Sequence, residues 1–316
     1  MSALTSSSSV PHSSTTHDLW QGFWRLADPK ISLASLASIF LGTCAAAAAG
    51  PLHVGWLVAT VLGIFAIEVA KNASGEIFDF DSGTDLAIAP EDRSPFSGGK
   101  RVLVDGLLTR KETVAISAIC YLIGVGMGIW IAVAREPGIF WIGIAGVACA
   151  YLYHAPPLKL CYRGLGELAV AVCFGPLITS GAYLVQRGHV ALDVFLVSLP
   201  LGLLVGAFLW INEFPDYAAD KASGKRTLVV RLGRVRASKV FTSIIALAFA
   251  WLAALPWFGM PRTVLLGFVA AVPAVAAAKQ LWKHSEETRR IIPAQAKTLQ
   301  SAVLFAIAAG VGLLHR

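Results

Sequence analysis

Apolar residues gather along the chain into long runs near 31–50, 53–71, 113–134, 138–156, 165–186, 191–212, 238–258, 263–281 and 298–314. Roughly 17 to 25 apolar residues suffice to cross a hydrocarbon core about 30 Å thick as a helix. In lipid each segment must satisfy its own backbone hydrogen bonds, and these runs are too continuously apolar for the alternating strands of a barrel. The pattern predicts an all-α polytopic membrane protein, nine transmembrane helices in a single bundle. Composition agrees: 56% of the 316 residues are hydrophobic and 14% charged, against about 25% charged in a soluble domain. Mean hydropathy is +0.67.

The polar positions then define the two sides. Lys and Arg number five in 72–112, two in 157–164, six in 213–237 and four in 282–297, whereas the alternate connections hold only Arg135, Arg187 and Arg262. Positive charge marks cytoplasmic loops, which predicts a cytoplasmic N-terminus and a C-terminus on the opposite side. Residues 1–20 are Ser/Thr-rich at their start and predict a flexible tail ahead of a helical domain over 21–316. Five scattered cysteines and seven dispersed histidines show no ligand spacing, so neither a disulfide frame nor a zinc site is expected. The expected partner surface is the lipid bilayer, with no nucleic acid.

Carboxylates are uneven. Glu68, Asn72 and Glu76 repeat every four residues and Asp79 adds a step of three, so they share one helix face; Asn212, Asp216 and Asp220 repeat every four on another. Like charges stacked at the edge of a low-dielectric bundle repel, which calls for a cation between them. Carboxylate and amide oxygens suit Mg²⁺, which keeps waters and takes further ligands from phosphates. Basic residues follow each cluster: Arg93, Lys100 and Arg101 after the first, and Lys221, Lys225 and Arg226 after the second. These can grip phosphate oxygens.

Three stretches carry a family likeness: 72–85, with Glu76, Asp79 and Ser82-Gly83-Thr84-Asp85; 211–233, with Asp216, Asp220, Gly224-Lys225-Arg226-Thr227 and Val230-Arg231-Leu232-Gly233; and Tyr153 to Lys159 leading to Gly164-Leu-Gly-Glu167. They resemble the UbiA superfamily of intramembrane prenyltransferases, nine-helix bundles with two Asp-rich motifs. The form of the first two is closest to the menaquinone-forming, 1,4-dihydroxy-2-naphthoate branch. Two departures stand out: Gly75-Glu76 replaces the usual Asn-Asp, with Asn72 one turn earlier, and the family's Tyr-x-x-x-Lys spacing is stretched to Tyr153 and Lys159.

The resemblance implies transfer of an isoprenoid chain from a prenyl diphosphate to an aromatic acceptor, with the active site on the cytoplasmic side. It assigns Mg²⁺ to Glu76, Asp79, Asp85, Asp216 and Asp220, and diphosphate to Arg93, Lys225, Arg226, Asn72 and Asn212. Asp79, Asp216, Tyr153 and Lys159 are the expected catalytic residues. Competing readings are the same fold with another acceptor (4-hydroxybenzoate, a chlorophyll precursor or a lipid phosphate) and a cation-coupled transporter. The latter usually carries such charges near the bilayer midplane rather than at one face.

Overall fold

In the computed structural model the structure describes residues 14–315, and those residues contain helices and no strand. In chain order they are α1 (Thr16–Ala27), α2 (Pro29–Ala48), α3 (Val54–Asp81), α4 (Arg110–Ala134), α5 (Ile139–Leu152), α6 (Gly166–Arg187), α7 (Leu192–Ala222), α8 (Leu228–Leu232), α9 (Arg234–Phe258), α10 (Arg262–His284) and α11 (Thr288–Leu313). Among the described residues eight of these, α2, α3, α4, α6, α7, α9, α10 and α11, are long and apolar enough to cross a membrane.

The remaining one of the nine apolar runs, over 138–156, forms a shorter helix than the other eight, yet it carries the chain from the Arg135 end of the bundle to the His154 end. There α5 has 14 residues, about 21 Å at 1.5 Å per residue, less than a hydrocarbon core about 30 Å thick. The chain leaves the helix at Tyr153 and runs into Pro156-Pro157, where the residue before each proline is driven out of helical geometry. Conversely, α3 and α7 outrun their apolar stretches, reaching 28 and 31 residues. Both carboxylate ladders thus lie on helix rather than in loops, and α7 continues through Pro215.

The expected tail also shortens. Its portion over 1–13 lies outside the described residues, but α1 already begins at Thr16. Thr15 and Asp18 cap each other's backbone N–H groups there. Trp20 and Trp24 stay exposed, while Arg25 pairs with Asp105 at 2.6 Å.

Packing centres on α7. Its most apolar stretch is 72% buried against 22% for α4, which marks one as central and the other as lipid-facing. Phe214 of α7, Phe241 of α9 and Phe305 of α11 are fully buried in the main core. Helix α3 packs on α4, α2 on α6 and α11, and α10 on α11. Alternation along the chain brings the C-termini of α3, α7 and α10 to one end of the bundle with the N-termini of α4, α6, α9 and α11. At the opposite end Gln186 accepts from the His53 N–H at 2.7 Å and donates to its carbonyl at 3.3 Å. Arg135 there donates to the Val185 and Gln186 carbonyls, both at 2.9 Å.

Candidate active site

The two ladders meet across one ammonium group. Lys225 Nζ lies 3.4 Å from Asp79 Oδ2 on α3 and 3.6 Å from Asp220 Oδ1 on α7. Sequence places Lys225 just past α7, in a Gly224 turn whose Lys225 N–H returns to the Asp220 carbonyl at 2.8 Å. Burial opposes the charge on Lys225, but Asp220 and Asp79 outweigh it and hold the ammonium protonated well above the usual lysine range. The Tyr162 hydroxyl donates to Asp79 Oδ1 at 3.2 Å, and His154 Nε2 stands 3.6 Å from Oδ2. Burial pushes His154 down to about 3, so its ring is neutral.

Around this bridge the carboxylates are under-compensated. Asp85 Oδ2, Asp216 Oδ1, Asp220 Oδ1 and, one turn back on α7, Glu213 Oε2 are buried without a hydrogen-bond partner among the described residues. Burial, together with Asp79 and Glu76, pushes the Asp85 carboxyl up to about 8. Orphaned hard oxygens of this kind are costly unless a ligand compensates them. They fit a divalent cation. No three His, Cys, Asp or Glu side chains among the described residues form a preformed metal cage.

Glu76 is turned to another task. Its Oε2 accepts the Lys100 and Arg101 N–H groups at 3.1 and 3.0 Å and its Oε1 accepts that of Leu103 at 3.0 Å. This clamps the connection between α3 and α4 over the site. Gly99 in that loop has φ +72° and abuts the Asp85 carboxylate, a position closed to any Cβ. Asp92 accepts from Thr288 Oγ1 at 2.6 Å, tying the same loop to the start of α11.

The structure brings together Asp79, Asp85, Asp216, Asp220 and Lys225 among the expected residues, and sets others apart. Asn72 donates to the Leu26 carbonyl at 2.8 Å, joining α1 to α3. Asn212 accepts from Gln295 at 3.0 Å, joining α7 to α11. Arg93 and Arg226 are exposed, the latter donating its backbone N–H to the Tyr162 carbonyl at 3.2 Å. Tyr153 is buried, whereas Lys159 is exposed with Nζ 5.3 Å from the Tyr162 ring. Between them the chain folds back, the Cys161 N–H donating to the Tyr153 carbonyl at 3.1 Å.

Sequence reasoning missed the residues on the intervening turn and one half-buried lysine. Tyr162 and His154 reach Asp79 from the α5–α6 connection, for which no periodicity exists. Glu167, at the start of α6, accepts the Leu228 N–H at 2.6 Å and so fixes the segment after Lys225. Two turns before Asp79 on α3, Lys71 holds its Nζ 4.9 Å from the Tyr153 ring centre. One turn deeper, both Glu68 carboxylate oxygens are buried, near the Ser32 and Ser35 hydroxyls of α2. A lysine interrupting an apolar helix was the available signal.

Comparison with known proteins identifies the family and the fold. The 1,4-dihydroxy-2-naphthoate octaprenyltransferase of Bacillus subtilis is 27% identical over 294 residues, spanning 93% of this chain and 92% of that protein. Among solved structures, the apo UbiA homolog from Aeropyrum pernix K1 superposes with a TM-score of 0.69 at 17% identity, covering 89% of this chain and 97% of that one. A UbiA homolog from Archaeoglobus fulgidus bound to GPP and Mg²⁺ gives 0.61 at 15% identity, over 93% and 100%. The UbiA prenyltransferase family profile matches residues 35–292, which include both carboxylate helices and the Lys225 turn. The chain belongs to the UbiA prenyltransferase family.

Proposed function

We propose that this prenyltransferase moves an isoprenoid chain from a prenyl diphosphate to a dihydroxynaphthoate-type acceptor in an Mg²⁺-dependent reaction within quinone-type lipid biosynthesis. The observation that carries the reading is the Lys225 ammonium held between Asp79 and Asp220, with buried unpartnered carboxylate oxygens on Asp85 and Asp216 beside it. Mg²⁺ bound there supplies Lewis-acid stabilisation of the departing diphosphate.

Asp79 and Asp85 on one side and Asp216 and Asp220 on the other hold the metal, and Lys225 faces the diphosphate oxygens. Glu76 acts through the loop it clamps rather than as a ligand. Arg93 and Arg226, exposed at the mouth, draw the anionic donor in. Asn72 and Asn212 set the spacing of the helices that carry the carboxylates. Tyr153 and neutral His154 line the path below the diphosphate, where an allylic cation needs aromatic faces and dryness. Lys71, beyond Tyr153, faces the carboxylate of the acceptor. On this reading the site lies on the cytoplasmic face, with the N-terminus on that face and the C-terminus opposite; the basic connections at the site end support it.

The test is incubation of the purified protein with a labelled prenyl diphosphate and 1,4-dihydroxy-2-naphthoate, with Mg²⁺ or EDTA. Label should pass to a lipid-soluble product only with Mg²⁺. Equal transfer in EDTA would remove the metal; absence of transfer to this acceptor, with transfer to 4-hydroxybenzoate, would remove the naphthoate branch.

A further inference from the structure

At the same end of the bundle, away from the carboxylates, the outer face of α10 and α11 holds a recess of ≈ 610 Å³ lined by Lys279, Lys283, Arg289, Arg290 and Lys297. Sequence spacing builds it: 279 and 283 repeat every four residues on α10, while 290, 293 and 297 follow one face of α11. The opposite face of α11 carries Gln295, fully buried and bonded to Asn212, so the recess and the active site lie on different sides of one helix.

Its charge is poorly balanced. Glu287, on the rim and about half exposed, pairs with Arg290 at 2.9 Å and lies 3.0 Å from His284. Lys297 finds only the neutral Gln280 Oε1, at 2.9 Å. Lys279, Lys283 and Arg289 have no ion pair among the described residues. The first turn of α11 has no side-chain cap at Glu287, so the positive end of the helix faces the rim, with Asp92 held beside it through Thr288.

Lys297 is nine residues into α11, about 14 Å from the helix start, at the edge of the apolar run over 298–314. An anion beside a cation at that boundary lowers the cost of holding it there. Trp282, 59% exposed on α10, marks the headgroup level beside it. Farther down α10, Val272 and Val275 are exposed and apolar, continuing the recess into a track suited to acyl chains.

We infer that this recess binds the phosphodiester headgroup of an anionic phospholipid, taken laterally from the membrane. Basic pockets between transmembrane helices are suited to such headgroups, each cation near the surface contributing independently.

The full chain, purified from nanodiscs containing phosphatidylglycerol and phosphatidylcholine, is analysed by native mass spectrometry for retained lipid. Wild type should retain phosphatidylglycerol at least about tenfold over its share of the mixture, and Lys283→Gln/Lys297→Gln should lose that enrichment. Lys111→Gln/Lys239→Gln, which removes the same charge from exposed positions elsewhere, should keep it. Should the double variant lose its monodisperse peak, Lys297→Met, which keeps the stem volume, replaces it. Undiminished enrichment in the recess variant overturns the inference, as does equal loss in the charge control. Displacement of the lipid by millimolar inorganic phosphate overturns it in favour of a soluble anion.

Discussion

The two ends of the bundle are held together in opposite ways. At the end remote from the site, Gln186 and Arg135 spend their hydrogen bonds on backbone groups of neighbouring turns, so polar side chains there complete the fold. At the site end Asp85, Asp216 and Asp220 converge with buried oxygens left unpartnered, and one lysine offsets the repulsion. The first end is arranged for stability. The second accepts carboxylate repulsion, which on the proposed function a bound cation would relieve.

The sharpest way to break this contrast is Asp216→Asn. Turnover should fall by about a thousandfold or more, while the melting temperature stays level or rises because repulsion is removed. A fall in both would make Asp216 structural. Lys225→Gln should lower kcat/KM for the donor about a hundredfold. It should also lower the melting temperature measured without donor and Mg²⁺, since Asp79 and Asp220 then face each other uncompensated.

Glu76→Gln separates two roles. As a loop clamp, it should destabilise the fold by about 1–3 kcal/mol and leave the Mg²⁺ concentration for half-maximal activity unchanged. A many-fold shift in that concentration would make Glu76 a metal ligand. The smallest effect is expected at the other end: Gln186→Leu should cost about 1–2 kcal/mol, read by thermal unfolding, with the specific activity of folded protein unaltered.

The division between what was legible in the chain and what was not follows the same physics. Long apolar runs and four-residue ladders are local patterns, so the helical class, and the faces bearing Asp79, Asp216 and Asp220, could be read directly. Asp85 and Lys225 were legible from the motif form, but the bridge Lys225 makes was not, because it depends on how α3 and α7 cross. Glu76 looked like another rung of its ladder. Its partners are backbone N–H groups, which leave no mark in sequence. The brevity of α5 was hidden by hydropathy, since Tyr153, Ala155 and the prolines extend an apolar run after the helix has ended. The turn between Tyr153 and Lys159, closed by the Cys161 N–H on the Tyr153 carbonyl, was beyond what spacing alone could describe.

The ammonium between Asp79 and Asp220 also bears on the order of events during a catalytic cycle. A site whose charges are already partly balanced by a tethered side chain has no need to open when empty. On the proposed function, loading would be an exchange of counterions: Lys225 would turn from the two aspartates toward a diphosphate, and the oxygens of Asp79 and Asp220 would then hold a divalent ion. With the donor gone, the lysine would again hold the two helices together.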